Sequence, residues 1–404
     1  MQKVKCMIKE VKLAMVWKIE IGYYKCIKSR TPKVKKGVYT EMKKLQRGIS
    51  TVVAAALMVG SLAGCGTNPS SNGKDEGSTG SSSETLNVGV LVSTVGIPAL
   101  YAEDQGWFEE AGLDVNLITF PTGAPVNEAI AAQELDIACS GFASVYSLAN
   151  AGCVWLADIN STGGMGIYAR EDSDIVKAGK NLTDYPEVYG SAEALKGVQI
   201  LEPLGTSAQF ATERYLAKFG LTGDDVEQVH MEYAPAFQAF ETGEGDLNSC
   251  SPPYSYDMVD AGYVEVCSFE DATDVSMCDG CFARGEVVEN RADDVQKFVD
   301  VLVRAMDALQ DEQLRFDYTI ERYASNAQDF TDDQMRREIE DRKYYGKDLL
   351  SKQDYVFGEC WGAITDFLVK VEKITEDNAP NVISSLDPSF VESATGLTVQ
   401  RFEK

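Results

Sequence analysis

The sequence predicts an α/β protein of two lobes, each a mainly parallel sheet flanked by helices, with two chain crossings between them. Three observations predict it. From Leu86 onward short apolar runs alternate with amphipathic stretches, the pattern of parallel-sheet domains. A second block beginning at Val198 repeats that pattern after a polar, irregular interval over residues 171–195. About 320 residues follow Glu84, which suits two cores, because single cores stop growing near ~250–300 residues.

Residues 1–64 hold 14 Lys and Arg against three acids, Glu10, Glu20 and Glu41. The net charge of −26 for all 404 residues therefore hides a net −37 from Cys65 onward. A charge of that sign repels phosphate backbones and anionic lipid, which argues against nucleic-acid binding and polybasic membrane contact.

From Met42 the chain reads MKKLQRGISTVVAAALMVGSLAGC: a basic start, a short apolar run, then Leu62-Ala63-Gly64-Cys65. This is a signal peptide over residues 42–64 closed by a lipobox, with Cys65 as the lipid-bearing residue. The apolar run is too short to favour an uncleaved span. A Gly/Ser-rich tether ends near residue 84. Residues 1–41 precede the signal, so translation is expected to start at Met42.

Strands are expected at residues 86–92, 113–120, 135–139, 154–159 and 165–169, with helices at 98–105, 125–133 and 142–151 between them. Gly106, Gly112 and Gly152 act as stops. These make the first part of lobe one, residues 85–170. Lobe two, residues 171–275, carries strands at 198–202, 226–232, 246–250 and 263–267 and helices at 207–219 and 235–242. Residues 276–404 return to lobe one, with a short apolar run at 281–288 and helices at 292–311, 332–345 and 354–374. In the first of these, Val295, Phe298, Leu302, Met306 and Leu309 form one apolar stripe that must pack on a lobe.

In open parallel sheets ligands bind beyond the carboxyl ends of the strands. The junctions there are small, hydroxylated or Pro-containing: Ser93-Thr94-Val95, Thr122, Ser140-Gly141-Phe142, Gly205-Thr206-Ser207, Ala234-Pro235 and Pro253-Tyr254. Helix starts of this kind offer free backbone N–H groups to a small anion or carboxylate. The same residues also serve as ordinary helix caps. Phe142, Tyr233 and Tyr254 are candidate aromatic walls. No Lys or Arg lies in these motifs, so a strongly charged ligand would need backbone amides, hydroxyls or a residue from elsewhere.

The ordered set Gly106-Trp107-Phe108, Gly112-Leu113-Asp114-Val115, Leu135-Asp136-Ile137, Ser140-Gly141, Gly205-Thr206-Ser207 and Glu241-Thr242-Gly243-Glu244-Gly245-Asp246 resembles the nitrate, sulfonate, taurine and pyrimidine-precursor receptors of ABC importers. The resemblance implies the two-lobed periplasmic-binding-protein type II fold, closing on one solute. It implies a permease and its cytoplasmic ATPase as partners. It also implies that the loops matching Thr94, Ser140 to Phe142, Thr206, Ser207 and Tyr254 line the cleft.

Enzyme chemistry finds little support. His230 is the only histidine, and neither a phosphate-binding loop nor a zinc-protease motif occurs. Seven cysteines follow Cys65, and Cys278-Asp279-Gly280-Cys281 holds the one close pair, open to a local disulfide, free thiols or half of a metal site. The expected protein is a bacterial, lipid-anchored, monomeric receptor without cofactor or metal. It captures a small organic or anionic solute: a sulfonate, nitrate, carboxylate or pyrimidine-like compound. The alternatives are an extracytoplasmic enzyme of the pyrimidine-synthase-like branch of the same fold, or a signalling receptor.

Overall fold

The computed structural model describes residues 84–326 and 328–404. The 1–41 extension, the signal peptide, Cys65 and the tether up to residue 83 lie outside the described residues.

Two five-stranded mixed sheets organise the chain. The first has the order β2-β1-β3-β10-β4, from β1 (Leu86–Leu91), β2 (Val115–Phe120), β3 (Ile137–Ser140), β4 (Cys153–Ser161) and β10 (Cys278–Arg284). β1 pairs in parallel with β2 and β3, while β10 runs antiparallel to β3 and β4. The second has the order β7-β6-β8-β5-β9, from β5 (Gly166–Ala169), β6 (Gln199–Glu202), β7 (Glu227–His230), β8 (Leu247–Cys250) and β9 (Val264–Ser268). There β6 is parallel to β7 and β8, and β5 is antiparallel to β8 and β9.

The short strand at 165–169, counted with lobe one from the sequence, is a correction. As β5 it sits inside the second sheet, because the chain crosses immediately after Ser161. The return crossing precedes β10. The two crossings touch: the Thr162 backbone N–H and its Oγ1 both donate to Met277 O, at 3.1 and 3.2 Å.

Helices pack against the first sheet. They include α1 (Ile97–Asp104), α2 (Gly123–Ala131) and α3 (Ser144–Asn150); α4 (Ser207–Lys218), α5 (Tyr233–Glu241) and α6 (Tyr254–Asp260) belong to the second lobe. The predicted stripe lies on α7 (Ala292–Ala308) and its C-cap, with Val295, Phe298, Leu302, Met306 and Leu309 all buried. It packs on α1 and on the late helix Ser389–Thr395, and Phe298 stacks on Phe108 at 5.3 Å. Each such side chain contributes roughly 1.5–3 kcal/mol by leaving water.

After α7 come α8 (Glu312–Ser325), which the sequence pattern does not announce, and α9 (Asp332–Asp341). α9 opens with a capping box between Thr331 and Gln334. It stops four residues short of the expected 345, since Arg342 leaves helical geometry at φ −120°, ψ 96°. α10 (Cys360–Lys370) lies close to β10.

The possible Cys278–Cys281 disulfide is contradicted. Both residues lie on β10, three apart, which in a strand puts them on opposite faces and about 10 Å apart. A disulfide needs Cα atoms within ~7 Å. Cys278 Sγ instead faces Cys360 Sγ at 3.5 Å, and Cys281 stands opposite Cys139 across the β3–β10 ladder. The seven described cysteines are buried free thiols. The Cys360 hydrogen bond and burial hold the Cys278 thiol well above the usual range.

Candidate functional site

The carboxyl ends of β1, β2 and β3 in the first sheet and of β6, β7 and β8 in the second carry the predicted junctions, but the structure treats them unequally. Thr94 is buried, and its hydroxyl donates to Glu338 of α9 while its carbonyl accepts from Tyr344 Oη at 3.1 Å. Ser93 is half-buried at the N-cap of a single 3-10 turn, whereas Val95 has no exposed surface and belongs to the core. Thr122 is an exposed N-cap without a side-chain bond.

Ser140 is buried with no partner for its Oγ among the described residues. Gly141 is dictated by close approach: a Cβ there would come within 2.3 Å of Asp279 Oδ1. Phe142 is buried against Phe210 of α4, ring centroids 6.2 Å apart. The lobes also meet where Tyr146 Oη donates to Gly205 O at 3.3 Å.

On the second lobe Gly205 takes a left-handed φ of +78°, which a glycine accepts without strain. Thr206 caps α4 through Ala208 N–H, and Ser207 is buried. His230 accepts the Leu204 N–H on Nδ1 at 3.0 Å, steadying this loop. Pro253 is the N-cap of α6, and Tyr254 stacks on Tyr233 at 6.4 Å. Burial pushes the Tyr233 hydroxyl up to about 12 against the pull of its bonds to Ser207 and Thr206.

The charged part of the site comes from residues outside every junction motif. Arg342, just past α9, donates Nε to Gly163 O at 3.2 Å and Nη2 to Ser251 Oγ at 3.1 Å, and pairs with Glu338 at 3.7 Å. Tyr256 Oη of α6 donates to Asp341 Oδ2 at 2.8 Å and reaches Glu338 Oε2 at 3.4 Å. Gly164, at φ +80° in the first crossing, leaves room for this: a Cβ there would stand 2.8 Å from Tyr256 Oη and 2.9 Å from Asp341 Oδ2.

α9 is thus a strap that reaches lobe one through Thr94 and lobe two through Tyr256, Gln334 to Asp257, and Arg337 to Asp260. Asp279, at the start of β10, accepts from Asn160 Nδ2 at 3.2 Å. Burial lifts its carboxyl to about 6, partly offset by Arg342 and Asn160.

A model of the NMT1-like family matches residues 79–319, more than half of the chain. The chain belongs to the NMT1-like family. This NMT1-like protein is 28% identical over 347 residues to a Brachyspira hyodysenteriae protein provisionally named an ABC transporter periplasmic binding protein, covering 85% of this chain and 97% of that one. Among solved structures it resembles the periplasmic aliphatic sulphonate binding protein SsuA of Escherichia coli, at 16% identity and a TM-score of 0.56, covering 80% and 94% of the two chains. It also resembles the periplasmic nitrate-binding protein NrtA of Synechocystis, at 13% identity and a TM-score of 0.58, covering 77% and 88%. These likenesses show the type II periplasmic-binding-protein fold.

No local motif could have flagged Glu338 or Arg342 in the NMT1-like chain, since Thr94 and Glu338 are 244 residues apart. A surface groove of about 730 Å³ lies elsewhere, among Ile383, Arg401 and Phe402. Arg401 is already engaged there with Ile383 O at 2.7 Å. Among the described residues no cluster of His, Cys, Asp and Glu is disposed to hold a metal, and no helix is long and apolar enough to cross a membrane.

Proposed function

We propose that this protein is the extracytoplasmic solute-binding receptor of an ABC importer. It binds one small solute between its lobes and delivers it unchanged to a permease driven by a cytoplasmic ATPase. The observation that carries this reading is the pair of sheets joined by two adjacent crossings, with strand ends from both lobes converging on one polar seam. Adjacent crossings of this kind act as a hinge, so a solute bound by both lobes stabilises the closed form by its contacts with each.

The ligand-facing set in this reading is Ser93, Thr94, Ser140, Gly141, Thr206, Ser207, Pro253 and Tyr254, joined by Asp279 and Arg342. Membership of a binding-protein family and the scarcity of catalytic motifs support a receptor without chemistry of its own. Cys65 supplies the anchor: lipid on its thiol holds a monomeric mature chain at the outer face of the membrane, and the tether gives it reach.

Uptake tests the reading. Cells lacking the chain should lose import of the solute that the purified protein binds. The native chain should restore it, and Cys65→Ser should release the protein from the membrane fraction and restore it poorly. Undiminished import without the chain removes the importer assignment.

A further inference from the structure

Within the receptor reading, on which the proposal rests, the charge balance of the polar seam names a ligand chemistry. Arg342 is the cation placed there, and two of its five N–H groups are already committed. Glu338 pairs with it, and Gly163 O and Ser251 Oγ take two of its N–H groups. Acceptors are left wanting on the first lobe.

Asp279 is 7% exposed and has no cation within ion-pair distance among the described residues. Its Oδ2 takes one hydrogen bond, from Asn160, and its Oδ1 lies against Gly141 with no donor among the described residues. Asn160 has no exposed surface, and its Nδ2 is used on Asp279 and on Ser161 O at 2.9 Å. That orients the amide so that Oδ1, which has no partner among the described residues, is left over.

A buried acceptor without a donor is destabilising, and a ligand that fills it recovers that cost on binding. A sulfonate or nitrate offers only acceptors and would set its charge beside Asp279. We propose that the first-lobe half of the site, Asp279 with Asn160, receives a small nitrogen base, an amine or amidine, whose N–H groups donate to these two side chains. Asp279 is the specificity-determining residue, since it supplies the opposing charge on the first lobe. Gly141 is the positioning residue, for a side chain there would displace the carboxylate.

The test is calorimetric titration of the protein from Glu84 onward, which holds both sheets and both cores. The probes are acetamidine, benzamidine and butylamine on one side, ethanesulfonate and nitrate on the other. The nitrogen bases should bind at one per chain. Asp279→Asn, nearly isosteric, should weaken them at least tenfold while keeping the circular-dichroism spectrum, and Asp279→Glu should restore part of the affinity.

Saturable binding of ethanesulfonate or nitrate without binding of the bases overturns the inference and leaves the receptor reading standing. Equal affinity of the bases for the parent and Asp279→Asn overturns it too. Binding of no probe at all overturns it as well, and the uptake experiment alone decides the receptor reading.

Discussion

Glu202, at the end of β6, has no exposed surface. Thr212 Oγ1 donates to its Oε2 at 2.5 Å, while its Oε1 finds no partner among the described residues. Burial lifts its carboxyl from 4.5 to about 8; the Thr212 bond lowers it and the nearby Glu213 charge raises it further. The folded protein therefore keeps a proton that the unfolded chain releases. The stabilisation is complete below about 4.5 and is lost as pH rises through about 8. Glu202→Gln should flatten that decline, so that in urea unfolding at pH 9 the variant exceeds the parent by about 2–4 kcal/mol, with the gap closing toward pH 5. Parallel pH curves for the two proteins would mean that Glu202 is ionised in the fold. None of this was visible in the sequence, where Glu202 is one acid among 63; its burial is a product of the sheet.

At the scale of elements, α9 is the most consequential. It holds Glu338 and Arg342 i,i+4 apart, both nearly excluded from water, between two lobes. Removing one member of a buried pair strands the other, which costs about 3–5 kcal/mol, whereas neutralising both is far milder. Arg342→Met should lose stability on that scale in urea denaturation, and Glu338→Gln with Arg342→Met should recover most of it. Equal losses for the single and double variants would show that packing, not charge, is at stake.

The elements also mark what the sequence could and could not reveal. The α7 stripe was legible because all five of its periodic positions are apolar. α8 was not, because two of its four buried positions, Arg315 and Thr319, are polar and break the stripe. β5 was legible as a strand but not as a member of the second sheet, since alternation records burial and not which sheet a strand joins. Cys278 and Cys281 looked like a pair by spacing, yet a strand separates what a tight turn would join. The junction loops were readable as strand-to-helix turns. The residues that give the seam its charge came from a segment more than 200 positions from Thr94, and only tertiary packing brings them there.

For the whole molecule, the proposed reading makes the two sheets, the adjacent crossings and the strap one device: lobes that part about a hinge and hold a solute between them. A receptor of this design gains nothing from chemistry on its cargo. Recovery of bound solute tests this most directly. The protein, saturated with a solute and then unfolded, should release one molecule per chain, chemically unchanged after prolonged incubation. A modified product, or turnover of solute beyond one equivalent, would contradict the account and make the protein an enzyme.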